Sequence, residues 1–116
     1  MSSVELHLPD GRVVGLLAPT VVGRAPDSPG FELVALADPE RSASKNHATL
    51  RLIGPDTVEV IDLGSTNGTS VMTGRGITML SPRVGVELAV PFELRCGEAI
   101  VNVRNVEPSP VECGWP

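Results

Sequence analysis

Ala48-Thr49-Leu50-Arg51-Leu52, then Gly54-Pro55-Asp56, then Val58-Glu59-Val60: apolar and polar residues alternate, break at a turn signal, and alternate again. A period of two gives a strand one buried face and one wet face, whereas a helix would repeat every three to four residues. Glycine, proline and aspartate together are the chemistry of a chain reversal. The stretch therefore reads as two short strands joined by a turn. Phe92-Glu93-Leu94-Arg95-Cys96 and Val101-Asn102-Val103-Arg104 repeat the pattern, and further strands are expected at Val4–Leu8, Val13–Leu17, Val21–Gly23, Leu33–Leu36, Ser70–Met72 and Val86–Ala89. Turn signals at Asp10-Gly11, Asp27-Ser28-Pro29-Gly30, Asn67-Gly68 and Gly74-Arg75-Gly76 separate them. The expected fold is all-β, a sandwich of about ten to eleven short strands.

Size and composition agree with that reading. The chain has 116 residues, enough for one core, and its 12 glycines and 11 prolines suit frequent turns rather than a helical bundle. One domain is expected over residues 4–106, followed by a Pro-rich tail or linker over 107–116. A formal net charge of −5 disfavours a nucleic-acid partner, which would call for a basic stripe. No apolar run reaches the length of a membrane span, and Met1–Glu5 has no secretory signal pattern, so no membrane insertion and a cytoplasmic location are expected. Cys96 and Cys113 read as two reduced thiols. With only two scattered histidines, they lack the spacing of a metal site. No cofactor is expected.

Three loop segments carry polar residues that packing does not demand. They are Gly23-Arg24, the run Arg41-Ser42-Ala43-Ser44-Lys45-Asn46-His47, and Gly64-Ser65-Thr66-Asn67-Gly68-Thr69. Arginine offers a planar fork matched to phosphate oxygens, serine a hydroxyl, and lysine a mobile point charge. Asparagine is both donor and acceptor, which suits a peptide backbone. The set describes a site for an anion carried on a peptide.

Gly23-Arg24, Ser44-Lys45-Asn46-His47 and Ser65-Thr66-Asn67-Gly68 stand in the order and approximate spacing of the motifs of forkhead-associated (FHA) domains, and the chain resembles that family over nearly all of residues 4–106. The resemblance implies a β-sandwich adaptor that is not an enzyme and that binds a phosphothreonine-containing protein, such as a Ser/Thr kinase or its substrate. It implies that Arg24, Ser44 and Lys45 contact the phosphate or the peptide beside it. Thr66 would line the pocket for the threonine methyl, and Asn67 would grip the peptide backbone. Gly23, His47 and Gly68 would support the site, with His47 bracing the Ser44 loop. The chain departs from the pattern at Lys45, where arginine is frequent, at Thr73-Gly74 in place of Asn-Gly, and in the longer Ala25–Glu32 loop with its acidic Asp27 and Glu32. Those departures leave room for an alternative, a phosphate-independent scaffold, either free or within a larger chain.

A Ser44/His47/Asp62 hydrolase triad can be written on paper, but no Gly-x-Ser-x-Gly elbow accompanies it. His7 reads as an edge residue. Simple up-and-down strand counting places the Ser44 and Ser65 loops at one end of the sandwich and the Arg24 loop at the other.

Overall fold

A computed structural model describes residues 4–106. Eleven strands and no helix occur among the described residues: β1 Val4–His7, β2 Val13–Gly15, β3 Thr20–Gly23, β4 Glu32–Ala35, β5 Ala48–Leu52, β6 Thr57–Asp62, β7 Thr69–Thr73, β8 Gly76–Met79, β9 Val86–Ala89, β10 Phe92–Cys96 and β11 Ala99–Asn105. They form a six-stranded sheet in the order β2-β1-β11-β10-β7-β8 and a five-stranded sheet in the order β4-β3-β5-β6-β9.

Alternation does the work the sequence promised. In β6 the residues Val58, Val60 and Asp62 point inward, and in β10 Phe92, Leu94 and Cys96 do so. Leu6, Val22, Leu50, Val58, Val60, Leu94 and Val101 are wholly shielded from solvent between the sheets. Each such side chain stabilises the fold by roughly 1.5–3 kcal/mol relative to leaving it in water. Cys96 is part of this core, where burial pushes its thiol well above the ordinary cysteine range and leaves it unreactive. Cys113 and Trp115, with the rest of the expected tail, lie outside the described residues.

Two features depart from the expectation. The sequence reads as a turn at Gly74-Arg75-Gly76 with no expected strand before Val86, whereas β8 pairs with β7 there. All four of its residues are exposed, and Ile77 and Met79 stand on the surface of an edge strand, so no burial pattern marks it. The second departure concerns direction. β3 and β4 run parallel, with Thr20 opposite Glu32 and Gly23 opposite Ala35, whereas the other pairings are antiparallel. The segment from Arg24 to Phe31 carries the chain back along the full length of the strand before β4 begins. Up-and-down counting therefore fails at this one step, and the Arg24 loop comes to the same end as the other two.

Candidate functional site

Pairing fixes where the three loops meet. Val22 lies opposite Ala48 and Ala48 opposite Asp62, so the end of β3, the start of β5 and the end of β6 stand side by side. The approach of the first two loops is close because residue 23 has no side chain. A Cβ there would sit 2.1 Å from the Lys45 carbonyl oxygen. With glycine in place, the Arg24 N–H donates to the Ser44 carbonyl at 2.9 Å, and the Ala25 N–H donates to the Lys45 carbonyl at 3.3 Å. The Arg24 guanidinium is exposed and reaches the Ala43 carbonyl through Nε at 3.4 Å.

His47 lies beneath, fully buried. Its Nδ1 accepts the Ser44 N–H at 2.9 Å, so its proton is on Nε2, which donates to the Gly68 carbonyl at 2.9 Å. One neutral imidazole thus ties the second loop to the third. Burial holds the ring below its ordinary pKa of 6.5, against the opposing pull of the Gly68 hydrogen bond. The Ser44 hydroxyl oxygen accepts the Thr66 N–H at 3.0 Å, so it too joins the second loop to the third. Asn67 Nδ2 donates to the Ser42 carbonyl at 2.8 Å, a third stitch between the same loops. Gly68 has φ +83, in the left-handed region that glycine enters without strain.

Asp62 organises the third loop from below. It is buried and accepts from the Gly64 and Ser65 N–H groups and from the hydroxyls of Ser65 and Thr69. Burial alone would raise its pKa. The Ser65 and Thr69 hydroxyls and the two loop amides outweigh that, and the carboxyl lies below its ordinary 3.8. The written triad does not form. Ser44 meets His47 through its backbone N–H rather than its hydroxyl, and Asp62 spends its oxygens on residues 64, 65 and 69.

The structure brings Arg24, Ser44, Lys45, Thr66 and Asn67 to one end, over Gly23, His47 and Gly68. It also supplies residues that the sequence reading did not single out. Ser42 is a hub. Its carbonyl accepts from Asn67, while its hydroxyl donates to Asp38 at 3.1 Å and accepts the Glu98 N–H at 2.7 Å. Gly97 packs so closely under it that a Cβ would lie 2.5 Å from the Ser42 carbonyl oxygen. Asn46 turns outward and joins the Ala25–Glu32 loop, where its Oδ1 accepts the Asp27 N–H at 2.9 Å and the Ser28 hydroxyl at 3.0 Å. A Ser-rich loop ahead of a strand was visible in sequence, but nothing there named its partners. His7 sits on β1 opposite Asn102 of β11, half-buried and 3.1 Å from Glu5, and has no hydrogen bond to the three loops among the described residues.

The profile of the FHA domain matches residues 20–90, more than half of the chain and all three motif loops. The chain belongs to the FHA family. FHA domains are binding modules rather than enzymes. The chain is 30% identical to an FHA domain solved in a structural and functional analysis of phosphothreonine-dependent FHA interactions, with 92% of this chain and 99% of that one covered and a TM-score of 0.63. It is also 30% identical to the FhaA FHA domain, solved in complex with the intracellular domain of Rv3910, with 88% and 100% covered and a TM-score of 0.62. The FHA domain of human APLF, solved with an XRCC1 bisphospho peptide, shares the fold at a TM-score of 0.69, with 21% identity and 90% and 99% covered. No curated protein matches the chain in sequence.

Proposed function

We propose that this FHA domain is a phosphothreonine-dependent adaptor that binds its partner protein at the loop end of the sandwich. One observation carries the reading: Ser44 is held on both sides, by His47 through its N–H and by Thr66 through its hydroxyl oxygen. That arrangement leaves the hydroxyl proton to donate outward, between the exposed guanidinium of Arg24 and the exposed Asn67. Arg24 contributes two or more N–H donors to a dianionic phosphate, and Ser44 contributes one. Lys45 adds charge, Thr66 lines the methyl pocket, and the Asn67 carboxamide meets the peptide backbone. Burying one methyl is worth about 0.8 kcal/mol, so rejection of phosphoserine rests on a close fit rather than on burial alone. The chemistry calls for no metal, cofactor or bond-breaking step. A cytoplasmic location, where kinases supply the ligand, belongs to the same proposal.

Calorimetric titration of matched phosphothreonine, phosphoserine and unmodified peptides into the wild type and Arg24→Ala tests it. Binding confined to the phosphothreonine form, and weakened in Arg24→Ala, is expected. Equal binding by the two proteins, or binding that survives phosphatase treatment of the partner, would favour the phosphate-independent scaffold. That second reading draws on one observation, the ion pair already formed between Lys45 and Asp27.

A further inference from the structure

The Lys45 ammonium is already engaged. It lies 2.7 Å from Oδ2 of Asp27, while Oδ1 of the same carboxylate accepts Asn46 Nδ2 at 2.8 Å. The Asp27 N–H and the Ser28 hydroxyl both bind Asn46 Oδ1, and the Ala25 N–H binds the Lys45 carbonyl. An isolated exposed pair of long side chains contributes little, because each partner drifts away. This carboxylate does not drift, since the Ala25–Glu32 loop is fastened to Asn46 at three points and presents Asp27 to Lys45 in a fixed place. The hydrogen bond from Lys45, and then that from Asn46, hold the Asp27 carboxyl below its ordinary 3.8, so it is charged at neutral pH. Asp38, whose carboxylate is anchored by the Ala43 N–H at 2.7 Å and the Ser42 hydroxyl at 3.1 Å, feels the charge of Arg24 but forms no ion pair with it among the described residues.

Building on the receptor reading, we propose that Asp27 is a resident counter-ion of the phosphate site, and that it selects phosphothreonine partners carrying a basic residue next to the phosphothreonine. When phosphate arrives at Lys45, it meets the Asp27 carboxylate held beside it. Lys45 then stands between a carboxylate and a dianion. A ligand with uncharged neighbours must bind against that excess of negative charge. A lysine or arginine in the ligand takes the carboxylate as the phosphate takes Lys45, so one ion pair is exchanged for two. A glutamate or aspartate at the same place worsens the excess. The acidic loop thereby acts as a filter on flanking sequence as well as a brake on affinity.

The test uses fluorescence anisotropy with a phosphothreonine peptide flanked by alanine, and with versions carrying one lysine or one aspartate at each of the two positions on either side. Wild type, Asp27→Asn and Asn46→Ala are compared, each checked for an unchanged melting temperature. The wild type should favour the best lysine peptide over the alanine peptide by about threefold to tenfold at low salt, and Asp27→Asn should lose that preference. Asp27→Asn should also bind the alanine-flanked peptide about threefold to tenfold more tightly than the wild type. Asn46→Ala, which frees the loop, should shift both measures in the same direction by less. If Asp27→Asn binds the alanine-flanked peptide no better than the wild type, or keeps the lysine preference, the counter-ion role is overturned while the receptor stands. If none of the folded proteins binds any phosphopeptide, both fall together.

Discussion

The two ends of the sandwich are built from the same strands and treated in opposite ways. At the loop end, backbone carbonyls and amides of residues 23–25, 42–47 and 64–68 are cross-linked by side chains that have no role in the hydrophobic core. His47 and Asp62 lie buried there with their hydrogen bonds made. At the far end, where β7 finishes and β10 begins, the strands leave a cleft of about 530 Å³ lined by Met72, Thr73, Phe92, Glu93, Asn102 and Asn105. There the Asn105 Oδ1 is buried with no hydrogen-bond partner among the described residues. The contrast shows where this chain has invested polar burial. Satisfied polar groups in a low-dielectric setting fix one geometry, whereas a loosely lined cleft tolerates several. A rigid loop end is what a pre-arranged anion site requires.

The largest expected effect strikes the closest backbone approach. Gly23→Ala places a methyl against the carbonyls of Ser44 and Lys45, which are backbone and cannot swing aside. Loss of about 3 kcal/mol of stability is expected, with phosphopeptide binding abolished, because the Arg24 and Ser44 loops must separate. Urea denaturation and a peptide titration check the two parts. A mild effect on both would mean that the loop end is softer than its hydrogen bonds imply.

His47→Ala comes next. It leaves a cavity and orphans both the Ser44 N–H and the Gly68 carbonyl, at a cost of about 2–4 kcal/mol. The histidine also gives the wild type a pH dependence whose sign is fixed. Because burial depresses its pKa in the folded state, the unfolded chain takes up a proton near the ordinary 6.5 while the folded chain does not. The unfolded state then binds more protons, so stability is complete above that pH and is lost as pH falls toward the folded-state value. Protonating Nδ1 also removes the acceptor of the Ser44 N–H. Below the ordinary 3.8, Asp62 adds a further loss of the same sign. Urea midpoints measured from about pH 7 down to about pH 5 should decline in the wild type and decline less in His47→Ala.

These two residues mark the boundary of what was legible. Period-two alternation along β5, β6, β10 and β11 disclosed the fold because each strand has one buried face. β8 marks the limit of that signal, because Gly76-Ile77-Thr78-Met79 is one short alternation overlapping the Gly74-Arg75-Gly76 turn signal, too brief to stand apart from it. The three motif loops could be read because Arg24, Ser44 and Asn67 are residue types that packing does not need. Their convergence could not be read by counting, which assumes that each strand reverses the last. The parallel step from β3 to β4 depends on how long a loop runs before it pairs, and composition does not encode that. Asp62 left a faint trace, an aspartate two residues before glycine and three before serine, which is the spacing of a side chain capping its own loop. The Asp27–Asn46 clasp left none, because its partners lie nineteen positions apart.

A smaller effect separates binding from stability at the loop end. Arg24→Ala removes an exposed side chain whose one side-chain hydrogen bond among the described residues is a long one to the Ala43 carbonyl. Stability should stay within about 0.5 kcal/mol of the wild type. Affinity for a phosphothreonine peptide should fall by about tenfold to a hundredfold, the worth of one or two charge-assisted hydrogen bonds. Parallel melting and titration of the same preparation make the comparison. A variant that loses stability and affinity together would assign Arg24 to the scaffold.

The smallest effect belongs to the far end, and its sign is informative. Asn105 faces Val4 across the β1–β11 ladder and lines the cleft with its Oδ1 shielded from water. An acceptor shielded without a partner typically costs 1–3 kcal/mol, whereas truncating a half-buried side chain beside an existing cleft loses little packing. Asn105→Ala should therefore leave stability unchanged or raise it by up to about 1 kcal/mol, and phosphopeptide affinity should not move. Urea midpoints at pH 7 and the anisotropy assay read both. A clear destabilisation would mean that Asn105 makes a hydrogen bond outside the described residues, and the far end would then resemble the loop end in how it treats buried polar groups. A change in affinity without a change in stability would couple the two ends through β7 and β10, which the rigidity of the stitched loops argues against.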